Sequence, residues 1–320
     1  MFKTKGELLI MKKIMASILA ASMIMSAGTA TTFIGNDVVL TVSAATEGTY
    51  ETLEYTAYDA YVAITGFDGT STEVEIPAEI EGLPVTSIAN NAFYGATKLE
   101  KITIPEGVET IGDNAFYNCT SLSEINLPNT LKKIQWKSFQ KCISLNEIDL
   151  PESLAYIGSY AFSECAEIKK ITFPKKVERI PENVCYKCLS LEEVTIENGA
   201  SEIAEAAFEH CLSLSKIYIP LSVTSIDTLS VHNAFYYCPS ITDVYYAGTE
   251  NQWKLLNIYL SEFDDATIHF EVEELPKSLT PDINCDGSID ASDASLILTY
   301  YAYIMTGGTD TIEEFMTNNK

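Results

Sequence analysis

The apolar positions of this chain recur at a fixed step. Phe93, Phe116, Phe139, Phe162, Cys185 and Phe208 stand 23 residues apart, and Phe235 follows after a four-residue insertion. Leu99, Leu122, Leu145, Ile168, Leu191 and Leu214 keep the same step, as do Ile88, Ile111, Ile134, Ile157, Ile180, Ile203 and Ile226. Between these columns run Ile102-Thr103-Ile104-Pro105, Ile125-Asn126-Leu127-Pro128, Ile148-Asp149-Leu150-Pro151 and Ile171-Thr172-Phe173-Pro174. The unit therefore reads L-x-x-I-x-[ILF]-P-x-x-[VL]-x-x-I-x-x-x-A-F-x-x-C-x-S. Its I-x-I core puts two branched side chains on one side of a short strand. The proline ends that strand because it has no N–H to donate. No unit can bury its apolar side alone, so the pattern predicts a stack of short parallel strands around one continuous core.

Six of the eight cysteines fall in one column, Cys119, Cys142, Cys165, Cys188, Cys211 and Cys238. The first full unit has Ala96 in that place. A position that takes Cys or Ala is small and buried, so these thiols are expected to be reduced packing residues. Cys185 and Cys188 spell C-x-x-C only because Cys185 replaces the Phe of its unit. A zinc site would need a second pair, and the sequence has none.

The 23-residue unit resembles the BspA-type leucine-rich repeat of bacterial surface and secreted proteins, over roughly residues 50–270. The step lies within the ~20–29 residues of leucine-rich repeats. Tyr61 to Gly69 followed by Thr72 to Pro77 alternates like a hairpin, as an N-terminal cap would. Val244 to Thr249 with Gln252-Trp253 resembles a closing unit. The expected fold is a leucine-rich-repeat solenoid of short parallel β-strands in 23-residue turns, followed by a small α-helical calcium-loop module. The expected boundaries are 1–44 for a signal peptide, 45–98 for the cap, 99–270 for the repeats and closing unit, 271–281 for a linker and 282–320 for the calcium module. Local loops are expected at Ile196-Glu197, where Pro is missing, and at the insertion Thr228 to Val231.

Residues between the core positions of the strands face outward. One such column reads Lys101, Glu124, Glu147, Lys170, Glu193, Lys216, Asp243, and its mixed signs allow pairing between rungs. The next reads Thr103, Asn126, Asp149, Thr172, Thr195, Tyr218, Tyr245. Tyr218 and Tyr245, aromatic on adjacent rungs, are the candidate ligand face, able to stack a sugar or anchor a protein.

A different chemistry begins at Asp282. In the run Asp282 to Asp293, oxygen side chains occupy loop positions 1, 3, 5 and 12, through Asp282, Asn284, Asp286 and Asp293. Gly287 stands where the turn needs no Cβ, Ser288 can offer its backbone carbonyl, and Asp290 can act through a water. One Ca²⁺ ion is expected there. Asp at position 12, with the following Ala294 to Tyr301, resembles the first half of a type I dockerin. That resemblance implies a cohesin module of a scaffoldin as partner. It implies contacts through Ala291, Ser292, Leu298, Thr299 and Tyr303. The second half departs from the pattern: Thr306 to Phe315 has no alternating ligand series, and Thr311 with Glu314 has capping-box spacing.

Charge and the N-terminus narrow the setting. The 320 residues hold 45 acidic against 20 basic side chains, a net −25, which repels phosphate backbones and argues against nucleic acid. Lys12 and Lys13 precede an apolar run from Ile14 to Ala27, as in a secretory signal peptide. Met1 and Met11 are both open as the start. Cleavage is expected after Ala44, with Ala45 and Ala30 as alternatives. No later apolar stretch reaches spanning length, so no transmembrane anchor is expected. The three histidines, His210, His232 and His269, form no H-E-x-x-H, and no G-x-S-x-G or phosphate loop occurs. The reading is a secreted, non-enzymatic binding protein for a polysaccharide, a cell surface or a protein. A hydrolase acting in polysaccharide degradation and a structural spacer or adhesin are the alternatives.

Overall fold

A computed structural model gives the fold; it describes residues 45–228, 232–256 and 261–270, with the backbone alone at 34–35 and 38–39. The rest of the signal segment, residues 229–231 of the insertion, the linker, the calcium loop Asp282 to Asp293 and the dockerin-like contact residues lie outside the described residues. The repeats form a β-solenoid in which each 23-residue unit is one coil with three sides.

The first side is the strand wall. Glu73–Glu75, Lys101–Thr103 and Glu124–Asn126 pair in parallel, with Glu73, Lys101 and Glu124 in register. A second group follows: Lys170–Phe173, Glu193–Ile196, Lys216–Ile219, Asp243–Tyr246 and Thr267–Phe270. The coil between the groups contains Ile148-Asp149-Leu150, which matches the repeat yet forms no strand. Its Glu147 would stand beside Glu124, the one place in the outward column where two carboxylates meet, and like charges directly opposite destabilise a ladder. Elsewhere the column alternates, with Lys101–Glu124 at 2.5 Å and Lys170–Glu193 at 3.3 Å.

The second side is built on the Ile column. Leu83–Ile88, Thr110–Ile111, Lys133–Ile134 and Tyr156–Ile157 pair in parallel, and Arg179–Ile180, Glu202–Ile203 and Ser225–Ile226 form a separate ladder. Pro181 explains the break. In other coils the residue after the Ile donates its N–H to the Ile carbonyl one coil earlier, as in Gly158 to Ile134 at 2.8 Å and Ala204 to Ile180 at 3.0 Å. Pro181 has no N–H, so Ile157 loses its donor.

The third side is a turn ladder, unbroken along the described coils. Asn91, Phe93 and Gly95 donate to Asp113, Ala115 and Tyr117 of the next coil at 2.8–2.9 Å, and later coils repeat the set. Two residues of this side have positive φ in coil after coil. One column holds Asn91, Asn114, Lys137, Tyr160, Asn183 and Ala206; the other holds Gly95, Asn118, Lys141, Glu164, Lys187, His210 and Tyr237. The left-handed steps turn every second peptide so that its N–H points toward the following coil. Non-glycine residues accept that conformation at a cost because the cross-coil hydrogen bonds hold it.

The core lies between the three sides. Phe93, Phe116, Phe139 and Phe162 stack with ring centres 5.0, 5.1 and 5.6 Å apart, and Phe208 stacks on Phe235 at 5.3 Å. The column cysteines are buried and free. Each donates its thiol to the carbonyl of the Phe-column residue one coil earlier: Cys142 to Phe116 and Cys165 to Phe139 at 3.1 Å, Cys211 to Cys185 at 3.1 Å, Cys238 to Phe208 at 3.0 Å. Cys is thus a small hydrophobe that also serves a buried carbonyl.

The ends differ from the expected hairpin. Val62–Phe67 pairs antiparallel with Leu53–Ala57, which pairs with Thr46–Tyr50; Glu73–Glu75 belongs to the strand wall instead. Leu53–Ala57 buries Leu53, Tyr55 and Ala57 in alternation, and it is the antiparallel partner of Val62–Phe67. At the missing proline, Glu197 donates its freed N–H to Phe173 at 2.9 Å, so the wall gains a bond where a loop was expected. The closing unit contains the helix Glu250–Leu255, whose N-cap Thr249 and Gln252 form a capping box.

Candidate functional site

The outward side of the strand wall changes character toward its C-terminal end. Through most of its length it carries short polar and paired charged side chains. The last three strands place Tyr218, Tyr245 and His269 in register, one above the next. Parallel in-register strands bring equivalent side chains together, and planar rings at that spacing stack. Tyr218 and Tyr245 lie 4.5 Å apart at 9°, and Tyr245 and His269 lie 4.4 Å apart at 10°.

Both tyrosines of the expected ligand face are therefore brought together, and His269 extends them to three rings. Its position could have been found by continuing the outward column one strand past the last repeat. His269 Nε2 meets Asp243 Oδ1 at 2.8 Å, which fixes the imidazole in the stack. The hydrogen bond from His269, reinforced by the Thr242 hydroxyl, holds the Asp243 carboxyl below its usual range. Lys216, in register with Asp243 and Glu193, completes the charged flank.

The stacking decides which parts of the rings stay exposed. Ring faces inside the column are covered by their neighbours, so a sugar cannot lie on them there. What faces outward is a rigid ridge of ring edges and tyrosine hydroxyls beside alternating charges. Stacked tyrosines supply contact area at low entropic cost.

A second polar cluster sits on the turn side. Glu209 is buried, and its Oε1 lies 3.1 Å from Nδ1 of both His210 and His232. His210 has the left-handed backbone of a turn residue, as its place before the Cys column implies. Among the described residues no group of His, Cys, Asp or Glu side chains is arranged to hold a metal ion, and no helix is long and apolar enough to cross a membrane.

Six copies of the BspA type leucine rich repeat region match the chain, over residues 86–214 and 157–278, well over half of it. A crystal structure of a leucine-rich repeat protein from T. pallidum is 33% identical, covers 54% of this chain and 81% of its own, and superposes with a TM-score of 0.52. One from Bacteroides ovatus shares the fold at 24% identity, covering 70% of this chain and 67% of its own, with a TM-score of 0.52. No curated protein sequence matches.

Proposed function

The chain belongs to the BspA-type leucine-rich repeat family, and from that premise we propose that it is a secreted, non-enzymatic binding protein whose strand wall takes a protein ligand at Tyr218, Tyr245 and His269. The observation that carries this reading is the three-ring stack, whose inner ring faces cover each other and whose edges form a firm ridge. A β-wall with a tyrosine cluster beside mixed charges matches the aromatic centre and polar rim of a protein-binding surface. The acidic surface favours partners with a basic or neutral face.

The C-terminal module is a tether in this proposal. Asp282, Asn284, Asp286, Ser288, Asp290 and Asp293 would hold one Ca²⁺, a donor set of hard oxygens that suits the ion. Ala291, Ser292, Leu298, Thr299 and Tyr303 would meet a cohesin. The support is the donor chemistry and the dockerin-like sequence alone.

Two experiments test the two halves separately. Wild-type chain and the Tyr218→Ala/Tyr245→Ala variant are applied to an array of purified extracellular proteins. The proposal expects at least one partner whose affinity falls tenfold or more in the variant; partners bound equally by both would sink it. A cohesin panel is then assayed with Ca²⁺ and again after EDTA. Binding that ignores the chelator, or no binding to any cohesin, removes the tether.

A further inference from the structure

The second side of the solenoid opens at its middle. Among the described residues, no backbone hydrogen bond joins Ala155–Ile157 to the coil of Glu178–Pro181, although every neighbouring pair of coils on that side is joined. Pro181 removes the donor that would serve Ile157, and the carbonyl of Ala155 also goes unclaimed. The result is a hollow of about 230 Å³ between the two coils, lined by Ala155, Tyr156, Ser159, Glu178, Arg179 and Pro181.

The groups around the hollow have capacity to spare. The two carbonyls accept nothing across the break, and the Ser159 hydroxyl has no partner among the described residues. Arg179 is pinned at the far edge by Glu202 at 2.9 Å and Glu182 at 3.3 Å, so its charge is already answered. Tyr156 stands 49% exposed, and no ring or cation among the described residues packs on it, unlike the tyrosines of the strand wall. Trp136, 43% exposed, occupies the place of Ser159 one coil earlier, and its backbone N lies against Gly158. Lys137 covers one of its faces, with the ammonium 4.2 Å from the ring centre.

We propose that this break is a binding site for a neutral carbohydrate chain. An open aromatic face takes the apolar face of a sugar ring, and unspent carbonyl and hydroxyl groups match its hydroxyls as both donors and acceptors. An anionic ligand would meet a net charge of −25 with the nearest guanidinium already neutralised. The hollow is smaller than the ~300–1,000 Å³ of drug-sized pockets, so it takes one sugar ring while the chain continues over Tyr156. The site is independent of the protein-binding reading of the strand wall.

The test titrates the full chain with neutral gluco-, manno-, galacto-, xylo- and chito-oligosaccharides up to millimolar concentration, read by calorimetry. At least one is expected to bind, with affinity falling tenfold or more in Tyr156→Ala, falling in Trp136→Ala and unchanged in Tyr218→Ala/Tyr245→Ala. Pro181→Ala restores the missing N–H and is expected to raise the melting temperature and weaken sugar binding as the coils close. Tyr156 is a surface side chain, so circular dichroism should show its variant folded. Failure of every oligosaccharide to bind, unchanged affinity in Tyr156→Ala, or a protein occupying Tyr156 in place of sugar would overturn the proposal. Loss confined to the Tyr218 variant would overturn it too and move the sugar to the strand wall.

Discussion

Replacing Cys185 by Phe should destabilise the solenoid, and replacing Phe173 by Leu at the same time should largely undo the damage. Every other described coil of the column has Phe where Cys185 stands. The missing ring is supplied from the strand side by Phe173, at a position that holds Ile104, Leu127, Leu150, Ile196 and Ile219 in other repeats and Tyr246 in the closing unit. Phe173 is fully buried and meets Phe208 edge-on, with centres 6.1 Å apart at 73°. A second ring at 185 would compete for filled space and cost about 1–3 kcal/mol through overpacking. Phe173→Leu alone loses an aromatic pair of about 0.5–1.5 kcal/mol and leaves a void, about 1–2 kcal/mol in all. The double variant has the repeat's ordinary residues at both sites and should lie within about 1 kcal/mol of wild type. The coupling is then about 2 kcal/mol, well above what independent sites show. Urea unfolding of the four proteins by far-UV circular dichroism measures it, with midpoints compared only where the slopes agree. Additive single effects would refute the exchange of bulk between the two sides.

Further outcomes follow from the same core. Burial holds the Cys142, Cys185 and Cys211 thiols well above their usual pKa, so the buried thiols should resist thiol reagents until the solenoid unfolds. Rapid labelling of more than one of the eight cysteines in the native chain would contradict this. A Cβ at Gly199 would overlap the Lys175 carbonyl oxygen, so Gly199→Ala should cost about 1–3 kcal/mol in a thermal melt, and a neutral result would mean the coils can part there. Because the folded Asp243 carboxyl has a lowered pKa, its contribution is present above about pH 4 and fades as pH falls through the folded value. The stability gap between wild type and Asp243→Asn should therefore shrink on acidification; a gap that widens would oppose the His269 pairing.

The coils were legible in the chain because each core column repeats at a fixed step and each residue type suits its place. Phe stacks on Phe, Cys serves a carbonyl, and Pro closes a strand. What escaped the sequence depends on neighbours in space. The left-handed columns hold Lys, Glu and Tyr as often as Gly or Asn, so composition gave no sign of them. Ile148-Asp149-Leu150 matches the repeat at each core position, yet it pairs with neither neighbouring strand, and nothing in its own core residues shows this. Val62–Phe67 alternates convincingly, yet the strand it pairs with lies before it and not after. Pro181 is plain in the sequence, but its effect emerges only once the register shows that Ile157 needed its N–H. In the stack proposed as the ligand face, two of the three rings were expected, and His269 was missed because it lies beyond the last repeat.

Hydroxyl-radical footprinting of the chain with a protein partner drawn from the array tests the central claim most directly. Oxidation of Tyr218, Tyr245 and His269 should fall together when the partner binds, while Tyr156 on the second side stays as reactive as in the free chain. Undiminished oxidation of the three stacked rings, with protection elsewhere on the solenoid, would contradict it.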